Sequence, residues 1–255
     1  RFPGITRHVL ERLSFVSAQD VDSLARLRAL GLPDSAAGPV VDLKAFYTAP
    51  PVTIPSELAQ SFPGETTWLA ASTHDGEESI VLEAHKQARK AEPDLRLILA
   101  PRHSHRGDAI EALITDNGLT CARRSRGDAP DNADVYLADT MGEMPLWYSL
   151  AGRVFIGGSL VSKGGHTPYE PAAFGCLLIH GADMRNFTGA MSRLRKAGLS
   201  IAVETADALM HALTGQSTTE QRETARAQQL ALRPETELQA LVAAVLPCLQ
   251  DNPRA

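Results

Sequence analysis

At 255 residues the chain has room for one large domain or two small ones and a sizeable core, and its 44% apolar and 22% charged content is ordinary for a soluble globular protein. A net charge of −5 and a pI near 5.9 argue against a general nucleic-acid binder. Three widely spaced cysteines, Cys121, Cys176 and Cys248, argue against a disulfide framework and fit a reducing, cytoplasmic compartment. No apolar run approaches the ~18 residues needed to span a bilayer. The opening RFPGITRHVL has neither an initiator methionine nor a signal peptide, so the chain is expected to be a fragment.

In chain order, Val9–Leu13 and Val21–Leu30 are predicted helices flanking a short strand at Ser14–Ala18, and Gly31 and Pro33 stop the second helix. Pro39 to Pro63 holds five prolines and is the expected linker segment. A regular rhythm then begins with a strand at Thr67–Ser72 and a helix at Glu77–Lys90, the latter entered through a capping box of Asp75 and Glu78. Next come a strand at Leu95–Ala100, a helix at Asp108–Asn117 and a short strand at Thr120–Ala122. Arg123–Asp134 is a polar loop whose basic run Arg123-Arg124-Ser125-Arg126 is expected to be solvated. Strands at Val135–Ala138, Val154–Gly157, Cys176–Ile179 and Leu199–Val203 alternate with helices at Met144–Leu150, Pro171–Phe174, Asn186–Lys196 and Ala206–Leu213. Two helices, Thr218–Leu232 and Glu235–Leu249, end the chain. Such alternation predicts an α/β fold, a Rossmann-like parallel sheet with helices on both faces and right-handed crossovers.

The stretch Val154–Gly175, VFIGGSLVSKGGHTPYEPAAFG, carries the densest functional pattern. A strand, a glycine loop and a helix start make an anion site in which amides and the helix dipole face the ligand. Glu170 would accept the two hydroxyl hydrogens of a ribose diol. A P-loop and a Gly-x-Gly-x-x-Gly fingerprint are both absent. In a parallel sheet, ligands bind beyond the carboxyl ends of the strands. The loops there carry Thr73-His74-Asp75-Gly76, Arg102-His103, Asp139 to Glu143, Gly157-Gly158-Ser159 with His166 to Glu170, and His180-Gly181. Arg102 and His103 suit a phosphate or carboxylate. With no His-Glu-x-x-His and no Cys-x-x-Cys, the histidines are expected to act as hydrogen-bond donors rather than metal ligands. Ser159 lacks the Gly-x-Ser-x-Gly elbow of a hydrolase nucleophile.

WLAASTHDGEE, LILAPRH, ADTMGEM, FIGGSLVSKGGHTPYEPAAFG and RNF, in that order and spacing, resemble the C-terminal half of the 3-deoxy-D-manno-octulosonic acid (Kdo) transferases. The resemblance runs from about Phe2 to the region of Ala208. It implies the C-terminal domain of a GT-B-type, inverting, metal-independent glycosyltransferase with no cofactor, which moves Kdo from CMP-Kdo to the lipid A precursor of lipopolysaccharide in Gram-negative bacteria. Carried over by motif, Arg102 and His103 would hold the phosphate or nucleotide side of the donor. Thr140, Met141 and Gly142 would line the cytidine pocket, Gly157, Gly158 and Ser159 would face phosphate or sugar, and Glu170 would take the ribose hydroxyls. Thr73 and His74 would lie closer to the transferred sugar, with His166 and Thr167 in the same loop.

The resemblance also implies a division into 1–45 as a remnant of the N-terminal acceptor domain, 46–64 as linker and 65–255 as the nucleotide-sugar domain. The catalytic base and the membrane-facing surface would belong to the missing domain, with the full enzyme on the cytoplasmic face of the inner membrane and this fragment soluble. Glu77, Glu78 and Glu143 are therefore poor candidates for the base, and the chain alone should bind a cytidine nucleotide without transferring sugar. Thr167 stands where the family usually has Asn, HGADM departs from its Gly-Pro-His pattern, and VDLK replaces Gly-Asn-Leu-Lys. The competing expectations are another GT-B-type nucleotide-sugar transferase or epimerase, and a non-catalytic nucleotide-binding module.

Overall fold

The computed structural model describes residues 3–131, 133–214 and 218–250. The chain forms two compact units, one of residues 1–47 with 233–255 and one of residues 48–232. In the first, helices α1 (Pro3–Leu10) and α2 (Val21–Ala29) gather Leu10, Ala18, Leu24, Leu32 and Ala36 into a small core. Asp20 caps α2 by accepting from the Ser23 amide at 2.6 Å. The strand expected at Ser14–Ala18 is reduced to a single bridge between Val16 and Ala37, because no neighbouring strand offers it a ladder.

The second unit begins with α3 (Ser56–Ser61), inside the Pro-rich stretch, and buries Leu58 and Phe62 in its own core. It continues through β1 (Thr67–Thr73), α4 (Glu77–Ala91), β2 (Arg96–Pro101), α5 (Gly107–Asp116), β3 (Cys121–Arg123), β4 (Val135–Leu137) and α6 (Met144–Leu150). Beyond these lie β5 (Arg153–Ile156), α7 (Tyr169–Ala173), β6 (Leu177–His180), α8 (Thr188–Lys196), β7 (Ser200–Ala202), α9 (Ala206–Leu213) and α10 (Thr219–Ala231). Helix α11 (Glu235–Gln250) returns the chain to the first unit, where Arg233 donates to the Tyr47 carbonyl at 3.0 Å and lies over the Phe46 ring.

Seven strands form one sheet in the order β3-β4-β2-β1-β5-β6-β7, and every neighbouring pair is parallel. Side chains alternate across it, as the period of two requires. Trp68, Ala70, Leu97, Leu99, Val135, Leu137 and Phe155 share one core with residues of α4, α5 and α9. Leu69, Ala71, Ile98, Ala100, Tyr136 and Val154 share the other with residues of α3 and α6. Burial on both faces explains why these strands are nearly continuous apolar runs. Successive strands after β1 go to one side and β5, β6 and β7 to the other, so the sheet reverses direction between β1 and β5.

Three local expectations are corrected. The box at Asp75 and Glu78 does not form: Gly76 is the N-cap of α4 at φ 92°, and Arg106 binds both carboxylates instead, Asp75 at 3.0 Å and Glu78 at 2.6 Å. Helix α7 starts at Tyr169 rather than Pro171, which places Glu170 within its first turn. The basic run is solvated only in part, at Ser125 and Arg126, and its charges are paired. Arg123 pairs with Asp108, Glu111 and Asp139, Arg124 with Glu143, and Arg126 with Glu111, so neighbouring carboxylates neutralise all three.

Candidate functional site

The reversal between β1 and β5 places the loops that follow them side by side, and this crevice is where an open parallel sheet binds ligands. The end of β1 is irregular: its register with β2 shifts between Ala71 and Thr73, and Ser72 takes φ 55°. Thr73 is fully buried, and its hydroxyl has no hydrogen-bond partner among the described residues. The Gly157 amide donates to the Ala71 carbonyl at 2.8 Å. A Cβ on Gly157 would lie 2.2 Å from the Ser72 oxygen, so the approach of the two loops requires glycine there.

The amides of the glycine loop do not form an open anion site. Glu77, the first residue of α4, is fully buried and its carboxylate already occupies them. It accepts from the amides of His74 at 2.9 Å, Gly158 at 2.7 Å, Ser159 at 3.0 Å and Leu160 at 3.0 Å. A buried carboxylate satisfied by four N–H groups is stable, and it welds the β1 loop to the β5 loop. Ser159 is likewise internal, since its hydroxyl donates to the Ile156 carbonyl and accepts from the Gly181 amide. The amides of Gly157, Gly158 and Ser159 and the Ser159 hydroxyl are thus all engaged within the protein, and the loop's polar groups hold its own shape.

The second glycine pair is clamped from the loop after β6. Asp183 accepts from the Gly164 amide at 2.8 Å, and Asn186 donates from its side chain to the Lys163 carbonyl at 3.2 Å. A Cβ on Gly165 would sit 2.2 Å from the Met184 sulfur, and one on Gly164 would sit 2.4 Å from the Asn186 amide nitrogen.

This scaffold brings the histidines together. His74 and His166 join through their Nε2 atoms at 2.9 Å, with the ring planes 1° apart. His103 packs edge-on against His74 at 5.9 Å between centroids, and His105 lies 5.5 Å beyond it. Burial, above all, lowers the pKa of His74, with Glu77 opposing it and His103 and Lys163 adding to it. Burial also lowers His166, to about 4, helped by His74, Arg102 and His103. At neutral pH both rings are therefore uncharged, one donating and the other accepting. The pair can gain one proton and keep its hydrogen bond, because a protonated ring still donates to a neutral one. Two neutral imidazoles with Arg102 and Lys163 acting on them make a pocket that favours an anion and would bind a proton along with it.

The remaining predicted residues sit at the same edge of the sheet. Arg102 is exposed, and its amide donates to the Thr73 carbonyl at 3.0 Å. After β4, the Thr140 hydroxyl donates to Glu143, Met141 is 71% exposed and Gly142 takes φ 84°. Arg124 holds Glu143 at 2.7 Å and lies over the Trp147 ring, leaving Met141 projecting from an ordered turn. Thr167 accepts from the Tyr169 amide at 3.4 Å at the entry of α7, and Glu170 is half-buried one residue later. Among the described residues no group of three His, Cys, Asp or Glu is arranged to hold a metal ion, and no helix is long and apolar enough to cross a membrane. Sequence reasoning missed Glu77, Asp183 and Asn186 as organisers of the site. The only local signal was an acidic residue at a helix start facing a loop rich in amides.

No family model matches the chain. It is 34% identical over 212 residues to the 3-deoxy-D-manno-octulosonic acid transferase of Haemophilus influenzae, a match covering 79% of this chain and 48% of that protein. Its fold is similar to the crystal structure of the C-terminal CMP-Kdo binding domain of WaaA from Acinetobacter baumannii, with a TM-score of 0.60, 29% identity, and coverage of 72% of this chain and 95% of that one. WaaG, a glycosyltransferase involved in lipopolysaccharide biosynthesis, shares the fold alone, at a TM-score of 0.52 and 12% identity over 92% of this chain and 62% of that one. The chain spans about half the length, or less, of the curated relatives it matches.

Proposed function

We propose that this chain, a relative of the 3-deoxy-D-manno-octulosonic acid transferases, corresponds to their C-terminal, donor-binding part, and that its second unit binds CMP-Kdo for an inverting sugar transfer. The observation that carries this is the match to nearly the whole of a CMP-Kdo binding domain, 95% of it at 29% identity. The site chemistry agrees with it. CMP-Kdo brings a phosphate and a carboxylate, and the crevice offers His74, His103, His166, Arg102 and Lys163 around two loops held rigid by Glu77. On this reading Arg102 and His103 take the phosphate side, Thr140, Met141 and Gly142 flank the cytosine, and Glu170 takes the ribose hydroxyls. Thr73, His74, His166 and Thr167 face the sugar. Gly157, Gly158 and Ser159 act through the shape of the loop rather than through their amides.

The acceptor would be the lipid A precursor, met at the cytoplasmic face of the inner membrane. A further domain would supply the catalytic base and the membrane contact, so residues 1–255 alone would bind donor and transfer nothing, because positioning two substrates across a cleft needs both walls. The first unit supports that expectation: Ile5, Val9, Val21 and Leu43 are 64%, 52%, 72% and 57% exposed there, a distribution suited to contact with more protein. The test is calorimetric titration with CMP, UMP and UDP, repeated with Glu170→Ala. CMP should bind in preference to the uridine nucleotides, and the variant should lose about 1.5–3 kcal/mol if the carboxylate holds the ribose. Tighter binding of UDP than of CMP would reassign the donor, and transfer of Kdo by this chain alone would overturn the division of labour.

A further inference from the structure

At the opposite ends of the strands from the histidine cluster, a cavity of about 530 Å³ crosses the beginnings of β5, β6 and β7. Arg153 and Leu177 open β5 and β6, Leu199 leads into β7, and Thr214 and Gln228 line the cavity beside α9 and from α10. Arg153 occupies a position a solvent-facing arginine would not. By the alternation of β5 it shares the face of Phe155, in the layer covered by α4 and α9. It is 3% exposed, and its Nη1 has no hydrogen-bond partner among the described residues. Burial pulls the guanidinium below its ordinary range, with the charge of Glu92 opposing it.

A buried cation with an unfilled donor costs folding free energy unless something of opposite charge completes it. Of the other charged residues on the wall, Arg222 donates to the Ser149 carbonyl at 3.2 Å, and Glu220 stands at the start of α10, whereas the Arg153 Nη1 is the buried donor without a partner among the described residues. The strand ends contribute Leu177, Leu199 and Ile201, an apolar floor beside the charge. We propose that this cavity is a second binding site, for a small organic anion whose carboxylate or phosphate monoester completes the Arg153 fork while its short carbon chain lies on that floor. The site is separate from the donor crevice and does not depend on the assignment of the donor.

The test is calorimetry on the full chain at constant ionic strength with three probes: butyrate, butyl phosphate and inorganic phosphate. At least one organic anion should bind saturably and more tightly than inorganic phosphate, which lacks the chain. Whether butyrate or butyl phosphate is preferred identifies the head group. Arg153→Met should weaken that binding roughly tenfold or more, since it removes charged hydrogen bonds. It should fold at least as well as the parent, because it replaces an incompletely paired buried charge with an apolar chain. Ala225→Leu, which fills the cavity from α10 and leaves Arg153 in place, should weaken the binding as well. CMP titrated into the same samples should bind alike with and without the anion. Absence of saturable binding for all three probes, binding unchanged in both variants, or competition between CMP and the anion would each overturn the proposal. A chain that binds the anion at Arg153 but not CMP would leave this site standing and remove the donor reading.

Discussion

Glu77 shows how one side chain settles the character of a site. Its carboxylate takes the amides of His74, Gly158, Ser159 and Leu160, so the negative charge that a glycine loop usually awaits from a ligand is already supplied by the protein. Glu77→Gln keeps the shape but turns an NH2 toward N–H groups. It should cost roughly 2–4 kcal/mol of stability in urea melts and weaken nucleotide binding, because the loop that shapes the crevice loses its anchor. Gly158→Ala acts on the same loop by sterics. At φ 71° a side chain is strained by about 1–2 kcal/mol, and the new Cβ would lie 3.4 Å from the rings of both His74 and His166. Its expected signature is a disturbed histidine pair as well as a lower melting temperature. Histidine NMR titrations then report directly on the site. The His166 ring, with its pKa held at about 4 in the free chain, should titrate at higher pH once CMP is bound, since a neighbouring anion favours the charged ring. An unmoved His166 would place the nucleotide elsewhere.

Among the elements, α4 is tied to the sheet by His85. The Trp68 indole donates to its Nδ1 at 3.3 Å, so Nε2 carries the hydrogen and donates to the Asp134 carbonyl at 3.0 Å. The ring is fully buried, and burial lowers its pKa to about 4, from an ordinary 6.5. Because the folded value lies below the unfolded one, the unfolded chain binds the extra proton between them. The stability His85 contributes is thus complete above about pH 6.5 and lost as pH falls toward 4, up to about 3 kcal/mol. His85→Ala should cost about 2–4 kcal/mol at pH 7.5, leaving the indole and the carbonyl unpaired beside a cavity. It should lose less than the parent between pH 7.5 and 4.5, which paired urea melts would read. Across β3, β4 and α5, Arg123 plays a comparable part, binding buried Asp139 at 2.5 Å together with Glu111 on α5. The basic run is therefore a fastener between elements.

The two units of the molecule differ in what they bury. The second holds a seven-stranded sheet covered on both faces, whereas the first encloses a core of Leu10, Ala18, Leu24, Leu32 and Ala36 and leaves several large apolar side chains exposed. Small cores bury too little surface to be strongly stable alone. In native-state hydrogen exchange, amides of α1 and α2 should exchange well before those of β1, β2, β4 and β5. Equal protection throughout would mean that the first unit draws stability from more than its own core.

The alternation of strands and helices was legible in the chain because buried parallel strands are continuous apolar runs and their helices carry a 3.6-residue period. Both signals lie within a turn or two of sequence. Arg96–Pro101, Met144–Leu150 and Ala206–Leu213 fell within a residue or two of their expected places for this reason. The glycines were legible too, since a close backbone approach such as Gly157 against Ser72 tolerates nothing else. Partnerships made across the fold were not. Glu77 and Gly158 stand 81 residues apart, so in sequence the first is only an acidic helix start and the second only a flexible turn. The box at Asp75 failed because Arg106, 31 residues on, offered those carboxylates a better partner, and the basic run found its acids 12 to 19 residues away. Residue type and local period determined the elements and the edge of the sheet where ligands gather. Which loop groups remain free for a ligand was decided by tertiary closure, because a buried charge takes whichever donors the fold brings nearest.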